Sequence, residues 1–388
     1  MVVYIPLIFP ATWCLNKYGL RKSLIIGSFG NFIGAAIKCF SLAQDRFWVA
    51  LVGQAFSAVS QIFVLNIPPI LSAIWFPNDE IARATGVGVF GNLLGVIIGF
   101  AVPSYLVKEG PPSEVSSQLT YVVITTAIVT AVIFVAILIC FTDKPELPPS
   151  YAQIKDSTMQ VSYMQSLKAI YTNRNFNLLF LCYGVVCGGI YAISTVMNQI
   201  VVQVYPENSA DSGLIGFLAT SSALFSASIL GYILDKTRAF KAVTVVCTVF
   251  CVLSLLGFAG LLKLKIIWPI FLMAFFVGFF MTGYMSIGFE YGAELTYPEP
   301  EGTSAGLLNV SAQIFGIILT ITMSTLIDSQ GSFWAVLLLA IVLSNGVILS
   351  LLTKPDLKRQ RAEQDRIGDR PQYSNYQEHV ETHQPIDA

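Results

Sequence analysis

The sequence predicts an all-α polytopic membrane protein built as two half-bundles, and three observations carry that reading. Of the 388 residues, 55% are hydrophobic and only 12% are charged, roughly half the charged share of an ordinary soluble domain. Apolar runs of about 20 residues recur along the whole chain, each long enough to cross the hydrocarbon layer as a helix. They lack the period of two that barrel strands would need. A long polar stretch, residues 142–175, separates two groups of such runs, and the second group echoes the first.

Taken in order, eleven spans are read: 1–15, 23–42, 47–75, 82–106 and 118–141 before the polar stretch, then 176–203, 211–234, 240–262, 266–291, 302–327 and 333–352 after it. The first run, MVVYIPLIFPATWCL, has 15 residues. It is short for a full crossing and carries no signal-peptide pattern. Five spans facing six imply a first half that lacks its first helix. The expected organisation is an N-terminal half-bundle at 1–141, an inter-half loop at 142–175, a six-helix half at 176–352 and a tail at 353–388. The tail shows no hydrophobic period and is expected to be disordered. Pro68-Pro69 should kink the third run beyond Gln61. In the loop, Tyr163, Met164, Leu167, Ile170 and Tyr171 share one helical face and are expected to lie along the membrane surface. Small residues stripe two runs, at Gly86, Gly88, Gly91, Gly95 and Gly99 and again at Gly302, Gly306 and Gly316, which permits close helix approach.

Basic residues set the orientation. On one face lie 17 of the 22 Lys and Arg, including Lys17, Arg21, Lys236 and six in the tail; the other keeps Lys38, Arg46, Lys108, Lys263 and Lys265. By the positive-inside rule the first face and the C-terminal tail are cytoplasmic.

The echo between the groups is explicit. At a shift of 221, FPNDEIARATGVGVFGNLLGVII lies on YPEPEGTSAGLLNVSAQIFGIIL, and the amide Asn92 falls on the amide Gln313. At a shift of 219, TWCLNKYGLRK lies near GYILDKTRAFK, so that Asn16-Lys17 meets Asp235-Lys236. Two halves of like layout joined by a long loop form the parallel repeat of a secondary transporter.

Polar residues inside the spans are the candidate site. An unpaired amide is costly in lipid, so Gln61, Asn92, Asn198 and Gln313 should face either a polar cavity or a partner helix. Amides both donate and accept and suit a small hydroxyl-bearing solute. Tyr191, beside small residues, and Tyr183, two turns earlier, offer aromatic faces to a cation or pack the bundle. No Asp or Glu occupies the middle of a span, which argues for facilitated movement over proton coupling. Glu290, Glu294 and Glu301 near one helix end are expected to meet Lys17, Arg21 or Lys236 as gate contacts. The seven cysteines lie in or beside apolar runs without CxxC spacing, and read as buried hydrophobes. His379 and His383 sit in the tail. No nucleophile elbow, phosphate loop or metal-ligand spacing points to an enzyme, a cofactor or a metal, and a net charge of −1 gives no reason to expect a nucleic-acid partner.

Gly231 to Lys236 reads G-x-x-x-D-K and resembles a loop signature of the major facilitator superfamily, although the first copy has Thr12 and Asn16 in place of Gly and Asp. FWVALVGQAFSAVSQIF (47–63), YAISTVMNQ (191–199) and ELTYPEPEGTSAGLLNVSAQIFG (294–316) resemble, more specifically, the feline leukaemia virus subgroup C receptor family. The resemblance covers residues 1 to about 353. It implies a monomeric choline and ethanolamine carrier of the plasma membrane, with haem export as an alternative and a non-transporting receptor or partner isoform as another. It also implies that Gln61, Tyr191 and Gln313 touch the solute, together with a tryptophan of a first helix that this sequence does not contain.

Overall fold

A bilayer offers no partner to a backbone N–H or C=O, so a spanning chain must satisfy those groups within itself, and the helix does so at every residue. The computed structural model describes residues 2–42, 46–65, 67–76, 81–107, 110–145, 163–206, 211–264, 267–299, 301–358 and 360–361. Within them stand thirteen helices and no strand. The first half holds α1 (Tyr4–Tyr18), α2 (Leu20–Cys39), α3 (Phe47–Leu65), α4 (Ile67–Trp75), α5 (Ile81–Leu106) and α6 (Pro112–Cys140). A short α7 (Tyr163–Thr172) follows. The second half holds α8 (Arg174–Val204), α9 (Asp211–Thr237), α10 (Phe240–Leu264), α11 (Trp268–Thr296), α12 (Glu301–Gln330) and α13 (Ser332–Leu352). Eight helical stretches are long and apolar enough to cross a membrane; α1 and part of α5 are shorter apolar segments.

Local chemistry sets the helix ends. The third run is helical as α3 up to Leu65 and as α4 from Ile67 through Pro68-Pro69; Asn66 lies outside the described residues. Asn173 caps α8: its Oδ1 accepts from the backbone N–H of Asn175 at 3.0 Å and of Phe176 at 3.3 Å. Its Nδ2 donates to the Leu295 carbonyl at 2.8 Å, which ties the start of α8 to the end of α11. Gly331, at φ 101°, turns the chain from α12 to α13, and Gln203 of α8 clasps that turn through the Ile327 carbonyl and the Ser332 N–H.

The halves are packed unequally. One continuous buried core joins α8 to α13 with Ile170 of α7. A second, small cluster of Tyr4, Ile8, Ala11, Ile62 and Val310 draws α1 and α3 onto α12. The halves therefore meet along two lines, α1 with α12 and α5 with α9; on the second, Phe100 lies where a side chain at Gly216 would have to go. The repeat makes the inequality measurable. In the second half a Cβ on Gly188 would come within 2.6 Å of the Gly316 backbone nitrogen. In the first half the counterpart of Gly316 is Gly95, and a Cβ there, or on Gly91 or Gly99, meets nothing within 4 Å. Five rods stand before α7 and six after it, and α5 lacks the close neighbour that α8 gives to α12. An apolar groove of 540 Å³, lined in part by Val64, Ile67, Pro68, Leu71, Val87 and Gly88, opens between the α3–α4 rod and α5.

The face read on the loop helix α7 is divided: Ile170 is buried and Leu167 packs on the second-half core, while Met164 and Tyr171 stay exposed. The side chain of Tyr163 lies outside the described residues. The start of the tail is likewise ordered against the second half, because it can still satisfy buried groups there. Thr353 is buried, the Lys354 N–H donates to Asn175 Oδ1 at 3.2 Å, and Leu357 packs on the core. His379 and His383 lie outside the described residues.

Because the Gly188–Gly316 contact is backbone to backbone, it has no flexible atom to yield. Gly188→Val is expected to lower the melting temperature of the detergent-solubilised protein sharply, by at least the 1–3 kcal/mol typical of overpacking. Gly95→Ala should leave it unchanged or slightly raised, since alanine favours the helix by about 1 kcal/mol. Thermal unfolding followed by size exclusion reads both.

Candidate functional site

The site is best built outward from α12. Residues advance about 100° each around a helix, so its faces can be assigned from contacts. Val310 points to α1. Ser311, Phe315 and Gly316 point to α8, with Ser311 Oγ donating to the Phe180 carbonyl at 2.6 Å. Ile314, Ile318 and Ile321 form an exposed apolar face. The remaining arc carries Gly302, Gly306, Asn309, Gln313 and Thr320. A Cβ on Gly302 or Gly306 would meet nothing within 4 Å, so the Gly302–Gly306 end of this arc borders open space.

On that arc the polar chemistry is unsatisfied. Gln313 is 8% exposed and Asn309 4% exposed, yet Gln313 Oε1, Asn309 Oδ1 and Thr320 Oγ1 accept from or donate to nothing among the described residues. Several other spanning hydroxyls find a carbonyl, as Thr244 does at Phe240 and Thr248 at Thr244, both at 2.7 Å. An orphaned buried acceptor costs on the order of 1–3 kcal/mol. Two such amides stand one turn apart on this arc, without a donor among the described residues.

Beside this arc, Tyr191 is part-buried on α8, and its carbonyl accepts from Thr195 Oγ1 at 2.6 Å. Tyr4 of α1 is buried and lies within electrostatic reach of Tyr191. Ile62, next in the chain to Gln61, sits in one cluster with Tyr4 and Val310. That cluster sets α3, α1 and α12 side by side, one residue from Gln61 and three from Gln313. Gln61 itself is exposed on α3, on the face it shares with Gln54, and Gln54 accepts from Lys38 Nζ at 2.5 Å.

The other sequence candidates lie elsewhere. Asn198 is exposed seven residues beyond Tyr191 and accepts from Ser212 Oγ of α9 at 2.9 Å, which favours the helix-tie reading. Asn92 is exposed on the unpacked face of α5. Tyr183 is fully buried against Tyr284 and Phe289; it packs the second half and meets no open space. Sequence reasoning missed Asn309 and Tyr4. The signal for Asn309 was present in its spacing of four from Gln313, which puts both on one helical face.

The loop signature has real structural symmetry. Lys17 lies over the Trp13 ring at 4.7 Å and Lys236 over the Tyr232 ring at 5.9 Å, each reaching back four residues. Two residues after each lysine the backbone turns left-handed, at Gly19 (φ 86°) and Arg238 (φ 49°), and each donates its N–H to a carbonyl four residues earlier, Leu15 and Leu234. The side chains of Asn16, Asp235 and Glu301 lie outside the described residues. Gly231 faces open space. The Arg21 N–H bonds Asp143 Oδ1 at 2.8 Å and its guanidinium bonds the Leu138 carbonyl at 3.2 Å. Glu294, 6% exposed, accepts from the Gln360 N–H at 3.3 Å. Glu290 is exposed.

The comparisons bear on this geometry as a whole. The chain matches the family model described as Major Facilitator Superfamily over residues 1–320. It is 40% identical over 365 residues to an uncharacterized MFS-type transporter of Caenorhabditis elegans, covering 93% of this chain and 62% of that protein. It is 40% identical over 369 residues to the choline/ethanolamine transporter FLVCR2 of Rattus norvegicus, covering 94% of this chain and 68% of that protein. The chain thus spans about two thirds of these relatives' length. The fold is shared with the Escherichia coli fucose:proton symporter, with a TM-score of 0.63 and 15% identity over 90% of this chain and 88% of that one.

The left-handed turns yield a direct test. Gly19 has φ 86° and ψ 176°, a region open to glycine alone, and a Cβ there would lie 2.5 Å from Asp143 Oδ2. Gly19→Ala is expected to destabilise by about 1–3 kcal/mol. Arg238→Gly should stabilise by about 1 kcal/mol, the cost that a side chain carries in this conformation. Melting temperatures of the two variants against the unmodified chain settle the point.

Proposed function

The chain belongs to the major facilitator superfamily and, within it, to the feline leukaemia virus subgroup C receptor family, and we propose that it carries choline and ethanolamine across a membrane as a facilitative uniporter. The observation that carries this reading is the buried, orphaned amide of Gln313 on the open arc of α12. A neutral amide suits a solute that brings a hydroxyl and a positive charge, because it can receive the O–H without needing a counter-ion of its own when the site is empty. Tyr191 supplies an aromatic face to the cationic end, which a quaternary ammonium needs because it has no N–H to give. Gln61 is assigned the third contact, from the first half, through its position beside Ile62 in the cluster that joins α1, α3 and α12.

In this reading the two halves rock about the lines α1–α12 and α5–α9, exposing the α12 arc first to one side and then to the other. The excess of Lys and Arg on the face of the 142–175 loop supports a cytoplasmic tail, and the plasma membrane is the assigned location. The carrier works as a monomer, because the two halves supply both walls of the path. A haem cargo finds less support: among the described residues the spans offer no histidine as an axial ligand.

Uptake of labelled choline into cells with confirmed surface expression of the chain is expected to saturate and to be competed by ethanolamine. Gln313→Leu and Tyr191→Ala should each lower uptake about tenfold or more, the effect of losing roughly 1.4 kcal/mol of binding, with surface expression unchanged. A surface-expressed chain that neither carries nor binds choline or ethanolamine overturns the proposal, as does uptake indifferent to both substitutions.

A further inference from the structure

The reading above uses one of the two orphaned amides on α12. The second has no role in it, and its surroundings are specific. Asn309 is 4% exposed, its Oδ1 has no partner among the described residues, and it stands one helical turn from Gln313 on the same arc. It is more enclosed than Gln313, and the side chains on either side of it in sequence are committed elsewhere: Leu308 to the second-half core and Val310 to α1. The space continues past it, since Gly306 and Gly302, one and two turns further, would meet nothing with an added Cβ. The internal repeat sharpens the contrast. At the shift of 221 the amide Gln313 has an amide counterpart, Asn92, but the counterpart of Asn309 is Gly88. Gly88 is closed over by Pro68, whose Cβ would lie 2.7 Å from an added Cβ. The polar group at 309 is therefore a feature of one half only, and packing of the repeat does not call for it.

Counting donors shows what the second acceptor would do. Choline carries one hydrogen-bond donor, its hydroxyl, because its nitrogen is fully methylated. Ethanolamine in its ammonium form carries four, three N–H and one O–H. Two buried carbonyl oxygens without a partner among the described residues stand one turn apart on the same arc. Choline can satisfy one of them and must leave the other bare, whichever way it lies. Ethanolamine can satisfy both, and a bond from a charged donor is about twice as strong as a neutral one. We propose that Asn309 is a second solute contact that accepts an N–H from a primary ammonium, and so sets the balance between ethanolamine and choline. This rests on the function proposed above and adds a selectivity residue to it.

The test compares the two solutes on one variant. Asn309→Leu keeps the side-chain volume and removes the acceptor. Uptake of labelled ethanolamine and of labelled choline is measured at matched surface expression, and binding of each to the purified chain is followed by thermal shift. The ratio of ethanolamine to choline uptake efficiency is expected to fall about tenfold or more in Asn309→Leu, as loss of a charge-assisted bond predicts. Asn309→Ser, which restores a small acceptor, should recover part of that ratio. An equal fall for both solutes, or no change in either, overturns the inference while leaving the carrier function standing. An unmodified chain that neither binds nor carries either solute overturns both.

Discussion

Inside a bilayer every polar atom must find its partner within the protein, and this chain follows that constraint almost everywhere. The backbone does so by being helical. The side chains do so in two ways. Many hydroxyls fold back on the preceding turn, as Ser60 Oγ does to the Phe56 carbonyl at 2.7 Å. Others reach across: Cys247 Sγ to the Phe280 carbonyl at 3.1 Å, Tyr284 Oη to Cys182 Sγ at 3.0 Å, and Ser226 Oγ to the Phe279 carbonyl at 2.5 Å. These ties tether helices that lipid, being as apolar as their side chains, would not drive together. Asn309 Oδ1 and Gln313 Oε1 share the lack of a hydrogen-bond partner among the described residues with Trp75 Nε1, Tyr183 Oη and Tyr205 Oη; what sets the two amides apart is that they stand one turn apart on one face of α12.

The unequal packing of the halves has a mechanical consequence. The second half holds nearly all of the buried core, and its end is strapped by Lys354, Leu357 and Gln360. Both orphaned amides and Tyr191 sit in this half, on helices that contact each other backbone to backbone at Gly188 and Gly316. Polar groups held on rigid elements keep their geometry as neighbours move. The first half brings fewer fixed groups. Its α5 presents an unpacked glycine face, and its contact with α12 runs through a cluster of five buried residues. Displacement of one half against the other is cheapest along such a narrow seam.

Much of this was legible in the sequence, and the reasons differ by element. Helix positions followed from apolar run length; α5, read as 82–106, is found at Ile81–Leu106. The repeat was visible as alignment, and its physical content is now explicit in the matched cation–π contacts of Lys17 and Lys236 and the matched left-handed turns. What the sequence did not disclose was packing between elements distant in the chain. Asn198 and Gln313 look alike as mid-span amides, yet one meets Ser212 and the other meets nothing. Tyr183 and Tyr191 share a helix two turns apart, but Tyr183 turns into the core. The bond from the Arg21 N–H to Asp143, 122 residues away, had no signal in the sequence. The polar start of the tail lacked any period, yet it satisfies groups that only the folded second half creates.

On the proposed function, the choice of amides over carboxylates follows from what happens when the cation leaves. A carboxylate in the middle of a span would hold a cation strongly, but release would strand an uncompensated charge in a low-dielectric site. Such an enzyme-like pocket would need a proton or a sodium ion to reset it. A pair of neutral amides beside an aromatic ring binds less tightly and leaves no charge behind. The empty carrier then crosses the field without cost, and only the loaded one moves charge. With roughly 2.3 kcal/mol available per elementary charge per 100 mV, the membrane potential alone drives a cation inward on such a carrier. The one strongly buried carboxylate near these helices, Glu294, fits this logic: it lies two residues from the end of α11 and is engaged by the Gln360 N–H, away from the arc where the solute would sit.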